Sequence, residues 1–348
     1  MNNRVYMDWN ATAPLRSETR AAMIAAMDAV GNPSSVHAEG RAAMAIVEKA
    51  RGQIKDAFGA GSADIAFTSG ATEAAALGLA GKSIQAAGIE HDCVAAWTDQ
   101  VLNSDTNGLV DLIHPINSSL QAANSETGVL QTLPDGLFLS DYVQAFGKVP
   151  CAFDWAGVTF SLLSAHKIGG PKGVGALVLK QGIDITPHIK GGGQEMGRRS
   201  GTENVIGIAG FGAAVKVAAQ DLANGVWDQV AELRDYMEAR IADIAPEVIV
   251  FGKQVKRLPN TSNFAIPGWK GETQVMQMDL ANYAISAGSA CSSGKVKASR
   301  VLQAMGFDDV TASSAIRVSL GPTNTKDEID GFVSTWGKSY TKFRAKAA

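Results

Sequence analysis

Short apolar runs closing on glycine or serine alternate with helix-spaced runs over roughly the first 200 residues, and few folds accommodate such a chain. "SETRAAMIAAMDAV" (17–30) and "AEGRAAMAIVEKARGQIKDAFG" (38–59) carry apolar residues at helical spacing, the second with Glu48 and Arg51 on one face. "DIAFTSG" reads as a short strand ending in glycine, and "ATEAAALGLAGKSIQAAG" behind it is rich in helix formers. Strand-like runs recur in "GLFLSDYVQAFG", "GVTFSLLSAHK" and "GVGALVLK" (173–180). Residues 203–245 read as helical with an interruption at Gly225, and the tail mixes strands ("NTSNFAIPG", "AIRVSLG") with helices ("SRVLQAMG", "KDEIDGFVSTWGKSYTKF"). The alternation predicts an α/β sheet domain, and the mixed tail a smaller α+β domain.

A chain of 348 residues suits about two domains and a large core. Its 46% hydrophobic and 19% charged content is that of an ordinary globular protein. A formal charge of −3 argues against nucleic acid as a direct partner. The N-terminus lacks an apolar signal core and no run reaches the ~18 apolar residues of a membrane span, so no membrane partner and a cytoplasmic location are expected. Cys93, Cys151 and Cys291 are far apart and odd in number, which suits a reducing compartment rather than a disulfide framework, and no metal is expected.

Several pieces could carry chemistry. In "SAHKIGGPKG" (164–173) Lys167 stands at the mouth of a glycine-rich turn after an apolar run. A lysine there is either a solvated charge or a desolvated amine able to attack carbonyls. "FTSGATE" (67–73) is a strand-to-helix turn whose helix start offers a phosphate seat, with Gly70 admitting close approach and Thr72 adding a hydroxyl; the plain alternative is an ordinary turn. "ALGLAGKS" (76–83) imitates a phosphate loop but has Ala76 where the first glycine belongs, and is rejected. Asp141 ends an apolar run, facing a site or capping a helix, with Asp154 its competitor for an acidic role. His91 is a lone histidine, and Arg317, on a strand-like run, is a fork for a carboxylate or a half-exposed sheet residue. Cys291 sits among Gly, Ser and Ala with Lys295 and Lys297 nearby, a setting that favours a reactive thiol over a packing element.

Taken together, "YMDWNATAP", "GNPSSVH", "FTSGATE", "SAHKIGGPKG", "GGGQEMGRRSGTENV" and "GSACSSG" resemble the cysteine desulfurases in order and spacing over nearly the whole chain. These are pyridoxal-phosphate enzymes of the class V aminotransferase group, and "GSACSSG" is similar to the NifS/IscS branch. The resemblance implies an aspartate aminotransferase-like fold. Its large, mostly parallel sheet domain would span 15–222, and its small domain 1–14 and 223–348. It makes Lys167 the lysine that holds the cofactor and then acts as base, Asp141 (rather than Asp154) the partner of the ring nitrogen, and Gln144 and Ser125 the neighbours of the phenolic oxygen. Ser125 stands where the family usually has asparagine. His91 would stack on the ring and shuttle a proton. Ala71, Thr72, Ser164 and His166 would hold the phosphate, joined by Thr202 from a second copy in a homodimer. Arg317 with Asn32 would bind the carboxylate of L-cysteine, and Cys291 would accept its sulfur for an iron–sulfur scaffold or sulfur-carrier protein. On the same fold a selenocysteine lyase or an aminotransferase is the alternative, and a non-catalytic dimeric binding module a third reading.

Overall fold

A computed structural model describes residues 4–288 and 298–347. After β1 (Val5–Tyr6) come helices α1 (Ser17–Met27) and α2 (Ala38–Ala57), close to the limits that their apolar spacing predicts. Strand β2 (Ala63–Thr68) feeds α3 (Ala71–Leu79). The helix-former run was expected to continue to residue 88. Instead it stops at Leu79, Gly81 turns the chain in a left-handed conformation, and "QAA" becomes β3 (Gln85–Ala87). Alanine's helix propensity there yields to pairing with β4 (Asp99–Leu102), which follows α4 (Asp92–Ala95).

Next come β5 (Leu139–Asp141), α5 (Phe153–Ala156), β6 (Phe160–Ser164) and β7 (Gly175–Lys180). The sheet runs β2-β7-β6-β5, with β5 and β6 parallel and β7 antiparallel to both of its neighbours, so β2, β5 and β6 all point one way. Parallel bridges Ser119↔Leu139 and Gln85↔Ser118 extend the sheet to the parallel pair β3-β4. A mostly parallel sheet with one reversed strand results, as the resemblance implies, within the α/β domain that the alternating pattern predicts.

Both faces are covered. Ile65, Leu163, Val178 and their neighbours pack against Val47 and Ile54 of α2, against Phe58 just beyond it, and against Ile208, Phe211 and Val215 of α6 (Val205–Ala223). Leu139, Leu162, Leu177 and Leu179 point the other way, onto α3. Strands buried on both faces read as continuous apolar runs, which is why this part was legible. With a mean hydropathy of 1.4, α6 is long and apolar enough to cross a membrane, where no such run was expected; in this fold it packs on α1 and α2. Gly225, left-handed at φ 69°, separates it from α7 (Val226–Ile244), as predicted.

The C-terminal region adds β8 (Ile249–Val250), β9 (Thr261–Ala265), α8 (Gly271–Leu280), β10 (Tyr283–Ala284), β11 (Ser286–Ala287), α9 (Arg300–Ala304), α10 (Asp309–Ser314), β12 (Ala315–Ser319) and α11 (Lys326–Ala347). An antiparallel sheet β11-β12-β9-β8 packs Phe264, Ile316 and Val318 against Trp227, Met237, Phe332 and Trp336 of α7 and α11. β1 pairs with β10, which carries residues 7–12 between the two sheets.

Candidate active site

The carboxyl ends of β2, β6 and β5 lie together, where ligands settle in open α/β sheets. Gly175 pairs with both Thr68 and Ser164. A Cβ there would stand 2.7 Å from Gly70 Cα, so only glycine lets the turn into α3 close against the sheet. Gly70 caps α3 without any side-chain hydrogen bond to its amides, which leaves the N–H groups at Ala71 and Thr72 suited to an anion, with Thr72 exposed beside them. Glu73 holds this turn, accepting from Ser69 N at 2.7 Å and from Arg199 Nε at 2.9 Å. Behind it Glu195 accepts from Phe67 N and from Arg51 Nη1, each at 2.9 Å. Glu195 and Met196 take left-handed backbone (φ 49° and 59°) to bring that carboxylate in. Because the Arg51–Glu195 pair is buried (side chains 11% and 3% exposed), Glu195→Ala is expected to cost about 3 kcal/mol in urea denaturation: Phe67 N loses its acceptor, and Arg51 keeps only the exposed Glu48 as a carboxylate partner among the described residues. A loss under ~1 kcal/mol would mean that water relieves Arg51.

Lys167 ends a single 3₁₀ turn, Ala165–Lys167, directly after β6. Its Nζ donates to the carbonyls of Asn10 (2.6 Å) and Ala11 (2.9 Å), which bind an amine without neutralising it. His166 Nδ1 lies 3.2 Å from Thr12 Oγ1. Burial, helped by Lys167 and Lys172, lowers the His166 imidazole to about 4, so it is a neutral hydrogen-bonding group at pH 7.

Asp141 ends β5, 7% exposed, its Oδ1 accepting from Val143 N at 2.8 Å. Burial raises its carboxyl, while His91, the Val143 N–H and Lys167 pull it down. His91 caps α4, its Nδ1 accepting from Cys93 N (3.2 Å) and lying 3.0 Å from Cys93 Sγ. Sequence reasoning missed Glu90, which is wholly buried. Its Oε1 accepts from Gln121 N, its Oε2 has no partner among the described residues, and burial pushes it up to about 8, so it carries its proton at neutral pH.

Arg317, in the middle of β12, is 5% exposed rather than half-exposed. It donates through Nη2 to Asp8 Oδ1 (2.8 Å) and through Nη1 to the Ser125 carbonyl (3.0 Å), and its buried Nε has no partner among the described residues. Ser125 O also accepts from Asn10 Nδ2 at 3.2 Å, so the backbone of the substituted position holds the arginine. Gln144 donates Nε2 to the Asn10 carbonyl (2.9 Å) and accepts at Oε1 from Lys148 Nζ (2.8 Å). Asn10, too, went unread in the sequence. It joins Lys167, Gln144, Lys148, Ser125, Asn260 and Thr261. Only the motif frame around it gave a signal, because its partners lie up to some 250 residues away.

Not every expected residue joins this cluster. Asn32 is exposed, its Oδ1 taken by Ser34 N at 2.9 Å, and no hydrogen bond links it to Arg317. Thr202 is exposed ahead of α6. Ser164 is buried at the end of β6 beside Gly175. Cys291 lies outside the described residues; just beyond that segment Ser299 Oγ donates to Glu126 Oε2 at 2.5 Å. Burial pushes Cys151 up to about 12 and also raises Cys93, so neither is a ready thiolate at neutral pH.

The group fits its residues. An uncapped helix start on bare glycines suits a phosphate, a desolvated Asp141 suits a protonated ring nitrogen, an amine held by carbonyls suits a carbonyl-bearing cofactor, and the open Nε of Arg317 suits a carboxylate ligand.

The family described as aminotransferase class-V matches residues 5–332. A cysteine desulfurase IscS of Dictyoglomus turgidum is 36% identical over 366 aligned positions, covering 95% of this chain and 93% of that one. The cysteine desulfurase NifS of Azotobacter vinelandii is 33% identical, covering 94% and 90%. A NifS-like protein of Rickettsia africae superposes with a TM-score of 0.89 at 34% identity, over 97% of this chain and 100% of its own.

Proposed function

This chain belongs to the class-V aminotransferase family, and we propose that within it the protein is a pyridoxal-phosphate-dependent cysteine desulfurase, converting L-cysteine to L-alanine with transfer of sulfur to an enzyme cysteine. The observation that carries the reading is that Asp141, ending β5, and Lys167, in the turn after β6, lie near enough to each other and to His91 at the start of α4 for both cations to act on the buried carboxyl, while Asn10 ties Lys167 to Ser125, which holds Arg317. The relatives named above favour the desulfurase over a selenocysteine lyase or an aminotransferase.

Lys167 would anchor the cofactor, the α3 N-terminus with Thr72, Ser164 and His166 its phosphate, Asp141 its ring nitrogen, and Gln144 and Ser125 its phenolic oxygen. His91 would lie against the ring. When bound, the cofactor supplies a carbonyl that captures amines and a ring that accepts the electron pair released at an amino acid's Cα. Arg317 would orient the substrate through its carboxylate. Lys167, freed by the incoming amine, would take the Cα proton, and Asp141 would keep the ring nitrogen protonated throughout. The Cys291 thiolate would attack the substrate's sulfur. An S–S bond forms as the Cβ–S bond breaks, and the departing electron pair is protonated at Cβ to give alanine, so no outside oxidant is needed.

The same reading places Thr202 against the phosphate of a second copy in a homodimer, delivers sulfur to an iron–sulfur scaffold or carrier protein, divides the chain into domains at 15–222 and 1–14 plus 223–348, and locates it in the cytoplasm. Its test is product analysis with L-cysteine and a reductant. Alanine and sulfide are expected in equal amounts, with both lost in Cys291→Ser. An aminotransferase would keep its activity in Cys291→Ser, a selenocysteine lyase would leave L-cysteine almost untouched, and a non-catalytic module would turn nothing over.

A further inference from the structure

Lys148 has no place in the chemistry above, yet it is among the most deeply buried large side chains of the molecule, at 2% exposure. No carboxylate pairs with it among the described residues. An unpaired buried amine is costly, and a leucine or methionine would fill the space more cheaply. Its Nζ donates to Gln144 Oε1 (2.8 Å) and Asn10 Oδ1 (3.2 Å). The chain is bent to allow this. After Asp141 the backbone turns through Phe146 N→Tyr142 O and Lys148 N→Ala145 O, so Lys148 sits one turn beyond Gln144. Gly147, at φ +75°, makes the corner, where a Cβ would stand 3.0 Å from Ala218 Cβ and 3.1 Å from Ile168 Cγ2. The charged groups facing the amine are Lys167 and Arg317, and burial followed by these two cations depresses it well below an ordinary lysine.

The Gln144 carboxamide is thereby fixed at both ends. Its oxygen meets an amine and its nitrogen meets the Asn10 carbonyl, and turning it over would set oxygen against oxygen and nitrogen against nitrogen. We propose that Lys148 is a positioning residue: by occupying Gln144 Oε1 it commits the carboxamide to offering its N–H₂ to the phenolic oxygen of the cofactor. This rests on the cofactor reading above. A donor at that oxygen favours the anionic form, so losing it raises the pH at which the bound cofactor's visible band titrates.

The experiment is a pH titration of the visible spectrum of the holoenzyme, comparing wild type, Gln144→Ala, Lys148→Met and the double variant. Lys148→Met is expected to raise the midpoint in the same direction as Gln144→Ala, by ~0.5–1 pH unit, and the double variant to go no further than Gln144→Ala, because one residue acts through the other. Lys148→Gln, which keeps an N–H donor, is expected near the wild-type midpoint, and Lys148→Leu serves the comparison if methionine is not tolerated. An unchanged midpoint in Lys148→Met or Lys148→Leu, or shifts that add in the double variant, overturns the proposal while leaving the cofactor site standing. A wild type that binds no pyridoxal phosphate overturns both.

Discussion

Lys167→Ala is expected to abolish turnover of L-cysteine, with kcat down by at least about 10³-fold, because the anchor of the cofactor and the base for the Cα proton go together. The effect is chemical rather than structural. Lys167 donates to the Asn10 and Ala11 carbonyls from a turn whose other residues remain, and Asn10 keeps its ties to Gln144, Ser125, Asn260 and Thr261. The variant should therefore unfold at nearly the wild-type urea midpoint. Kinetics with L-cysteine beside urea denaturation measures both. A Lys167→Ala protein that still makes alanine at more than about a tenth of the wild-type rate would remove Lys167 from the reaction.

Asp141→Asn is the second large effect, and it separates activity from stability. An amide cannot hold a proton on the ring nitrogen by charge, so kcat should fall on the order of 10²- to 10³-fold. The stability consequence has the opposite sign. Burial raises the Asp141 carboxyl above its unfolded value, so the folded apoprotein holds this proton more tightly than the unfolded chain does. That preference favours the folded state fully below the unfolded pKa and is lost as pH rises from there through the folded pKa, so at neutral pH the ionised group is a liability. Asp141→Asn should leave the apoprotein at least as stable as wild type at pH 7, by thermal denaturation, while the holoenzyme is nearly inactive. A variant that is both inactive and much less stable would make Asp141 structural.

Local pattern carried most of the sheet. β2, β6 and β7 are apolar on both faces, and α6 and α7 have clean helical spacing broken by one glycine. What escaped was short or distant. β3 has three residues, too few to display a period, and its alanines belong equally to the helix before it. The motifs found Lys167, Asp141, Gln144 and Arg317, the residues to which the proposed reading gives cofactor and substrate contacts. They could not find Asn10, Asp8 or Lys148, whose importance lies in contacts with residues far along the chain, such as Asp8 with Arg317. Glu90 was hidden differently: a glutamate beside a histidine reads as charged, and only its complete burial shows it to be protonated. The resemblance also linked Asn32 to Arg317, whereas within this chain Asn32 bonds its own turn.

The central claim is that Lys167, among all the lysines and beside the buried amine of Lys148, is the one that carries the cofactor. Borohydride reduction of the holoenzyme followed by peptide mass mapping tests it directly. The expected result is one pyridoxyl-phosphate adduct per chain, on the peptide containing Lys167, with none in Lys167→Ala. An adduct on Lys148 or Lys172, or a stoichiometric adduct that survives Lys167→Ala, would contradict the account.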